Sequence, residues 1–365
     1  MLAFHSLFAR VGAVLACSCA LHTLTACSSD GSQTGSPSSA SVVRGMHDSL
    51  SNDLQDLKAA ALATQAAAPA PAGRGWDAVL DRDAILATQA AWQDARTAYE
   101  HTEGALAPIF PDLDFSIDAR YDDFLAELPQ GDPNSFDDMG VTGLHGAERV
   151  IYSESIPEKV VTFEASLQGY TPAAFPATAE QAASFKTLLL GKIVRDADQF
   201  LSGWSNSQNI NLSEAFQGLV SLMNEQREKV NKAATGEEES RYSQRTMVDL
   251  RDNLAGTKKI YAIFQPYLRS RTNPGDPTLD GPTVDTAIEA ALAKLDALYA
   301  QVEGDAIPTP PATWSSEAPS AADLDSDFGR LYSGIQAAVS SNDPDSVVVN
   351  MNRAASVMGF EQFAP

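Results

Sequence analysis

The stretch Val43–Ala61, VRGMHDSLSNDLQDLKAAA, decides the fold class. Val43, Met46, Leu50, Leu54, Leu57 and Ala61 recur at spacings of three and four, which aligns them on one stripe of an amphipathic helix. The same period returns near residues 82–103, 115–127, 138–154, 177–206, 211–234, 244–269, 282–303, 322–341 and 344–358. Turn-forming strings separate the stripes where helices should stop: APAPAGRG at 68–75, LPQGDPN at 128–134, TNPGDP at 272–277 and IPTPPATW at 307–314. Only VVTFEAS at 160–166 has the look of a short strand. About ten helices predict an all-α fold of up-and-down bundles, two packed together, with the join near residues 155–180. The division expected along the chain is residues 1–26 as a leader, 27–41 as a tether, 42–165 as an N-terminal bundle and 166–365 as a C-terminal bundle.

Composition narrows the function classes. With 44% hydrophobic and 20% charged residues, the chain is neither a disordered polymer nor a polytopic membrane protein. Asp and Glu total 48 against 25 Lys and Arg, a formal charge of −23, so the surface repels phosphate backbones and nucleic acid is not an expected partner. Such a surface suits a protein that meets cations.

Arg10 is followed by the apolar run VGAVLACSCAL and then by Leu24-Thr25-Ala26-Cys27. A short apolar core that ends in small residues reads as a secretory signal. The LTAC string resembles a bacterial lipobox, where cleavage leaves a diacylated Cys27 as a membrane anchor. Cys17 and Cys19 depart with the leader, so thiol chemistry has no residues left to perform it. Residues 28–41, SSDGSQTGSPSSAS, read as a flexible leash. Ser28 after the lipidated residue matches the pattern sorted to the outer membrane in a Gram-negative cell. The expected location is therefore extracytoplasmic, at the periplasmic face of the outer membrane or at the cell surface.

His5 and His22 also leave with the signal, so only His47, His101 and His145 can serve chemistry. The most informative string is Gly143-Leu144-His145-Gly146-Ala147-Glu148-Arg149-Val150-Ile151-Tyr152. His145 and Glu148 are three apart, so an imidazole and a carboxylate share a helical face and can reach one cation. Gly143 and Gly146 cost helix stability, which indicates close packing or backbone access at this point. Alone, the pair equally describes a core histidine beside an acid. A second string, ARTAYEHTE at 95–103, puts Glu100 and Glu103 on one face, with Arg96 four residues before Glu100. A third, DLDFSIDARYDD at 112–123, places Asp118 and Asp122 one turn apart. Three such pairs on consecutive helices can converge inside one bundle.

In combination and order, ARTAYEHTE, DLDFSIDARYDD, GLHGAERVIY and SRYSQRTMVDLRDNLAG (240–256) resemble the imelysin-like family, within it the EfeO-type periplasmic iron-uptake branch, over most of residues 41–270. The resemblance implies two packed up-and-down four-helix bundles, a metal-binding His-x-x-Glu motif at His145 and Glu148, and acidic metal-site positions at Glu100, Glu103 and Asp118. It also implies an iron permease or a peroxidase as a partner. Val150-Ile151-Tyr152 departs from the leucine-tryptophan pair common in that branch.

Two other readings stand beside iron uptake, a metallopeptidase and a non-catalytic surface lipoprotein. The peptidase reading lacks its ligands: a zincin needs His-Glu-x-x-His or His-x-x-Glu-His, and Arg149 stands where the last histidine of the inverted form would be. No Gly-x-Ser-x-Gly elbow supplies a serine nucleophile either. One imidazole with three or four carboxylates is a mostly hard donor set, which favours iron and tolerates manganese, zinc or copper.

Overall fold

Ser38 opens the first helix by accepting a hydrogen bond from the Ser41 N–H at 3.3 Å, and the helix runs over Ser39–Ala67. Val42, Met46, Leu50, Leu54, Leu57 and Ala61 form its buried face, so the stripe begins at Val42, with Val43 half-buried beside it. The first turn includes residues 39–41, which the Ser-rich composition had assigned to the tether. The protein is described here from a computed structural model, which covers residues 37–127, 136–207 and 210–364. The leader, Cys27 and the tether up to residue 36 lie outside the described residues.

Among the described residues the fold is all-α, with no strand. The helices are α1 (Ser39–Ala67), α2 (Arg82–Glu100), α3 (Glu103–Leu106), α4 (Pro111–Asp118), α5 (Tyr121–Glu127), α6 (Gly143–Ile151), α7 (Glu158–Ala165), α8 (Ala179–Ser184), α9 (Leu190–Asn206), α10 (Leu212–Lys232), α11 (Thr246–Arg269), α12 (Gly281–Tyr299), α13 (Ala321–Leu324), α14 (Asp327–Val339) and α15 (Val347–Met358). A π-helical turn, Phe185–Leu189, joins α8 to α9. Packing partners fall into two groups. In the first, α1 lies against α2 and α9, with the short α4 and α6 on the same side. In the second, α10, α11, α12, α14 and α15 pack together, while α11 also touches α1 and α2. Helix α9 therefore packs with the N-terminal helices although it follows residue 165 in the chain.

Two sequence-based elements differ from what forms. The strand-like VVTFEAS lies almost wholly in α7: Pro157 starts the helix, and Val160 and Glu164, four apart, are its buried residues. Helical burial overrides the strand preference of the β-branched run. The stripe at 115–127 is split, because Ala119 takes an extended ψ of 141° that ends α4 and lets α5 set off in a new direction. Asp118 and Asp122 thus diverge: Asp118 faces Arg96 and His145, and Asp122 accepts from Arg241 at 2.8 Å.

Gly143 explains how α6 comes so close to α4. Its φ is +75°, and a Cβ there would sit 2.6 Å from the Ile117 carbonyl oxygen. The bare backbone lets α6 start directly beside the end of α4, which brings His145 to Asp118. The indole of Trp92 holds the same turn from α2 by donating to the Leu144 carbonyl at 2.9 Å. Gly143→Ala is expected to destabilise the fold by about 2–3 kcal/mol, combining left-handed strain with the overlap. Chemical denaturation of the variant checks this; an unchanged midpoint would show that the approach tolerates a methyl group.

Candidate metal centre

Seven segments deliver charged or amide groups to one buried place. From α2 come Arg96 and Glu100, from α3 Glu103, and from the end of α4 Asp118. Helix α6 contributes His145 and Glu148, α10 contributes Lys229, the connection after α10 contributes Glu239, and α11 contributes Asp249 and Asn253. Helix α11 reaches the end of α2 because position 256 is glycine: a Cβ there would meet the His101 carbonyl oxygen at 2.5 Å.

His145 is the centre of this arrangement and only 1% exposed. Its Nδ1 lies 3.0 Å from Glu148 Oε2, and the other Glu148 oxygen accepts from the Ser243 N–H at 2.8 Å. On the opposite side of the ring, Nε2 has no hydrogen-bond partner. It faces Asp118 Oδ1 at 3.5 Å and Glu239 Oε1 at 3.7 Å. One ligand atom each from Asp118, His145 and Glu239 lie within 4.8 Å of one another, a spacing that fits a cation between them. An imidazole fixed by a carboxylate at one nitrogen presents the other to a metal.

Around these three stands a ring of counter-charges. Arg96 pairs with Glu100 and Asp118, lies 3.2 Å from Glu239 and 3.5 Å from Asp249. Lys229 lies 3.1 Å from Glu239 and 3.6 Å from Glu103. Asn253 donates to Glu100 and, at 2.8 Å, to Glu103. Carboxylates still outnumber the fixed cations Arg96 and Lys229. Burial pushes the Glu100 and Glu103 carboxyls up, Asp249 to about 6 and Asp114 to about 8. Glu239 is the exception: despite burial, Lys229, His145 and Arg96 hold it well below the usual range. Burial and Arg96 depress His145, but its contacts with Asp118, Glu148 and Glu239 win and lift it to about 10. The centre is short of positive charge, a deficit that a proton or a cation would offset. A cleft of about 530 Å³, lined by Glu103, Asp114, Asp118, Arg120, Lys229 and Glu239 among others, leads to it from solvent.

The imelysin (peptidase M75) family model matches residues 43–325. The chain belongs to the imelysin family. A Staphylococcus aureus (strain MSSA476) protein named Efem/EfeO family lipoprotein is 25% identical over 192 residues, 53% of this chain and 54% of that protein. The iron uptake system component EfeO of Yersinia pseudotuberculosis is 27% identical over 198 residues, 54% of this chain and 42% of that one. The chain thus spans about half the length of the curated relatives it matches. The fold is shared with the crystal structure of a Parabacteroides distasonis protein described as an iron-regulated protein A precursor: TM-score 0.54 and 14% identity, over 87% of this chain and 94% of that one.

In this imelysin chain the structure brings together all five positions singled out from sequence, in different roles. Asp118 Oδ1 and His145 Nε2 face each other at 3.5 Å, and Glu148 sits behind the ring on Nδ1. Glu100 and Glu103 lie farther round, on Arg96, Asn253 and Lys229. His101 is outside the centre, at the end of α2, 3.6 Å from Asp252. Arg149 is occupied by Glu164 at 3.0 Å and stacks over the Tyr121 ring at 3.8 Å. The sequence reading missed Glu239. It lies in the acidic run Glu237-Glu238-Glu239, which looks like solvated loop, yet it is 6% exposed. The signal available was the neighbouring string 240–256, where Thr246, Asp249, Asn253 and Gly256 fall at spacings of three and four on one polar face.

Proposed function

We propose that this protein is a lipid-anchored, extracytoplasmic metal-binding protein that captures iron for uptake. The ion is held by Asp118, His145 Nε2 and Glu239, with Glu148 orienting the imidazole and Glu100 and Glu103 completing the acidic surround. The observation that carries this reading is the buried, unpartnered Nε2 aimed between two carboxylate oxygens. A mixed imidazole and carboxylate set suits Fe(II) or Fe(III), and it accommodates manganese, zinc or copper. The names of the relatives, lipoprotein and iron uptake system component, support the assignment of cargo and location. The LTAC string supports Cys27 as the site of lipidation and thereby a membrane surface as the place of work. An iron permease or peroxidase is the partner that such a carrier would serve.

Elemental analysis of the purified protein after equilibration with competing Fe, Mn, Zn and Cu tests the proposal. Close to one ion per chain, iron foremost, is expected, and its loss in His145→Ala but not in His101→Ala. Retention by His145→Ala with loss in His101→Ala would overturn the site.

A further inference from the structure

Arg96 holds the same two oxygens that would complete the cation site. One terminal nitrogen donates to Asp118 Oδ1 and the other lies 3.2 Å from Glu239 Oε1. These are the atoms that stand 3.5 and 3.7 Å from His145 Nε2. A guanidinium cannot shed its charge in a protein, so an arriving ion meets two ligand oxygens already bound by a fixed positive charge. The side chain also has somewhere to go. It pairs with Glu100, its Nε makes no hydrogen bond, and that Nε lies 3.5 Å from Asp249, whose second oxygen is buried without a partner.

We propose that Arg96 is an internal competitor for the metal ion, bound to Asp118 and Glu239 in the metal-free protein and withdrawn onto Glu100 and Asp249 when the ion enters. This rests on the cation site proposed above. Arg96 then sets how tightly the ion is held and how fast it leaves, which suits a protein that must hand its cargo on. Two variants separate this from a purely structural role. Arg96→Gln removes the competing charge, and Asp249→Asn removes the refuge while keeping the charge.

The test is calorimetric titration of each full-length protein with Mn(II), together with the rate of Mn(II) release into excess chelator. Arg96→Gln is expected to bind about tenfold or more tightly and to release more slowly, the order of effect for one like charge removed at this range. Asp249→Asn is expected to bind severalfold more weakly and to release faster, because Arg96 then stays on the ligand oxygens. Should Arg96→Gln fail to fold, Asp249→Asn alone decides: unchanged or tighter binding would overturn the competitor. Equal or weaker binding by a folded Arg96→Gln would do the same. A wild-type protein that takes up none of Mn(II), Fe(II) or Zn(II) would overturn the site itself, a result distinguishable from either.

Discussion

Raising the pH from about 6.5 to about 8.5 is expected to tighten Mn(II) binding about a hundredfold, one proton being displaced for each ion bound. The reason lies in His145. Ligation through Nε2 needs neutral imidazole, and although burial and Arg96 oppose protonation, Asp118, Glu148 and Glu239 lift its pKa to about 10. Below that value each bound ion must expel a proton, so apparent affinity gains a factor of ~10 per pH unit and levels off only near the raised pKa. An unperturbed imidazole would confine the effect to pH values below about 6.5. The same shift acts on the metal-free protein. The imidazolium contributes its full stability below the unfolded-state value and loses it as the pH rises through about 10. Titrations across this range in two buffers of different ionisation enthalpy count the protons released. A dissociation constant that is flat across this range would contradict ligation by an imidazole whose pKa is raised, and one that is flat down to about pH 5 as well would show that His145 is not a ligand.

His145→Ala is expected to cost about 3 kcal/mol without metal, since removing one partner of a buried charge cluster leaves the others uncompensated. Asp118, Glu148 and Glu239 lose their shared partner, while Arg96, Lys229 and the Ser243 N–H still restrain them. With Mn(II) at 100 times its dissociation constant the gap should widen to about 6 kcal/mol, because the wild type gains about 2.7 kcal/mol by mass action and the variant gains nothing. Denaturation curves with and without the ion measure both terms. A variant that is still stabilised by Mn(II) as strongly as the wild type would place the ion elsewhere.

The helical class was legible in the Val43–Ala61 stripe, because burial of one face imposes a period that needs no knowledge of the rest of the chain. The same logic failed where burial and propensity disagree. Val160-Val161-Thr162-Phe163 looks like a strand residue by residue, yet Val160 and Glu164 face the interior one helical turn apart. The break at Ala119 was invisible for a similar reason: alanine is the best helix former, and no residue at the stop breaks a helix by its own propensity. At the centre, the approach required by Gly143 was readable, as was the pairing of Arg96 with Glu100 at a spacing of four. Glu239 was not. Three consecutive glutamates carry no periodicity; Glu238 is buried against Lys159, and Lys229, Arg96 and His145, contributed from α10, α2 and α6, draw Glu239 to the centre.

The most direct measurement is anomalous diffraction from crystals of the protein soaked in Mn(II), with data collected on both sides of the manganese absorption edge. A single buried peak is expected at bonding distance from His145 Nε2 and from carboxylate oxygens of Asp118 and Glu239. A peak confined to the mouth of the cleft, among Asp123, Glu225 and Glu228, or one against Nδ1 beside Glu148, would contradict it.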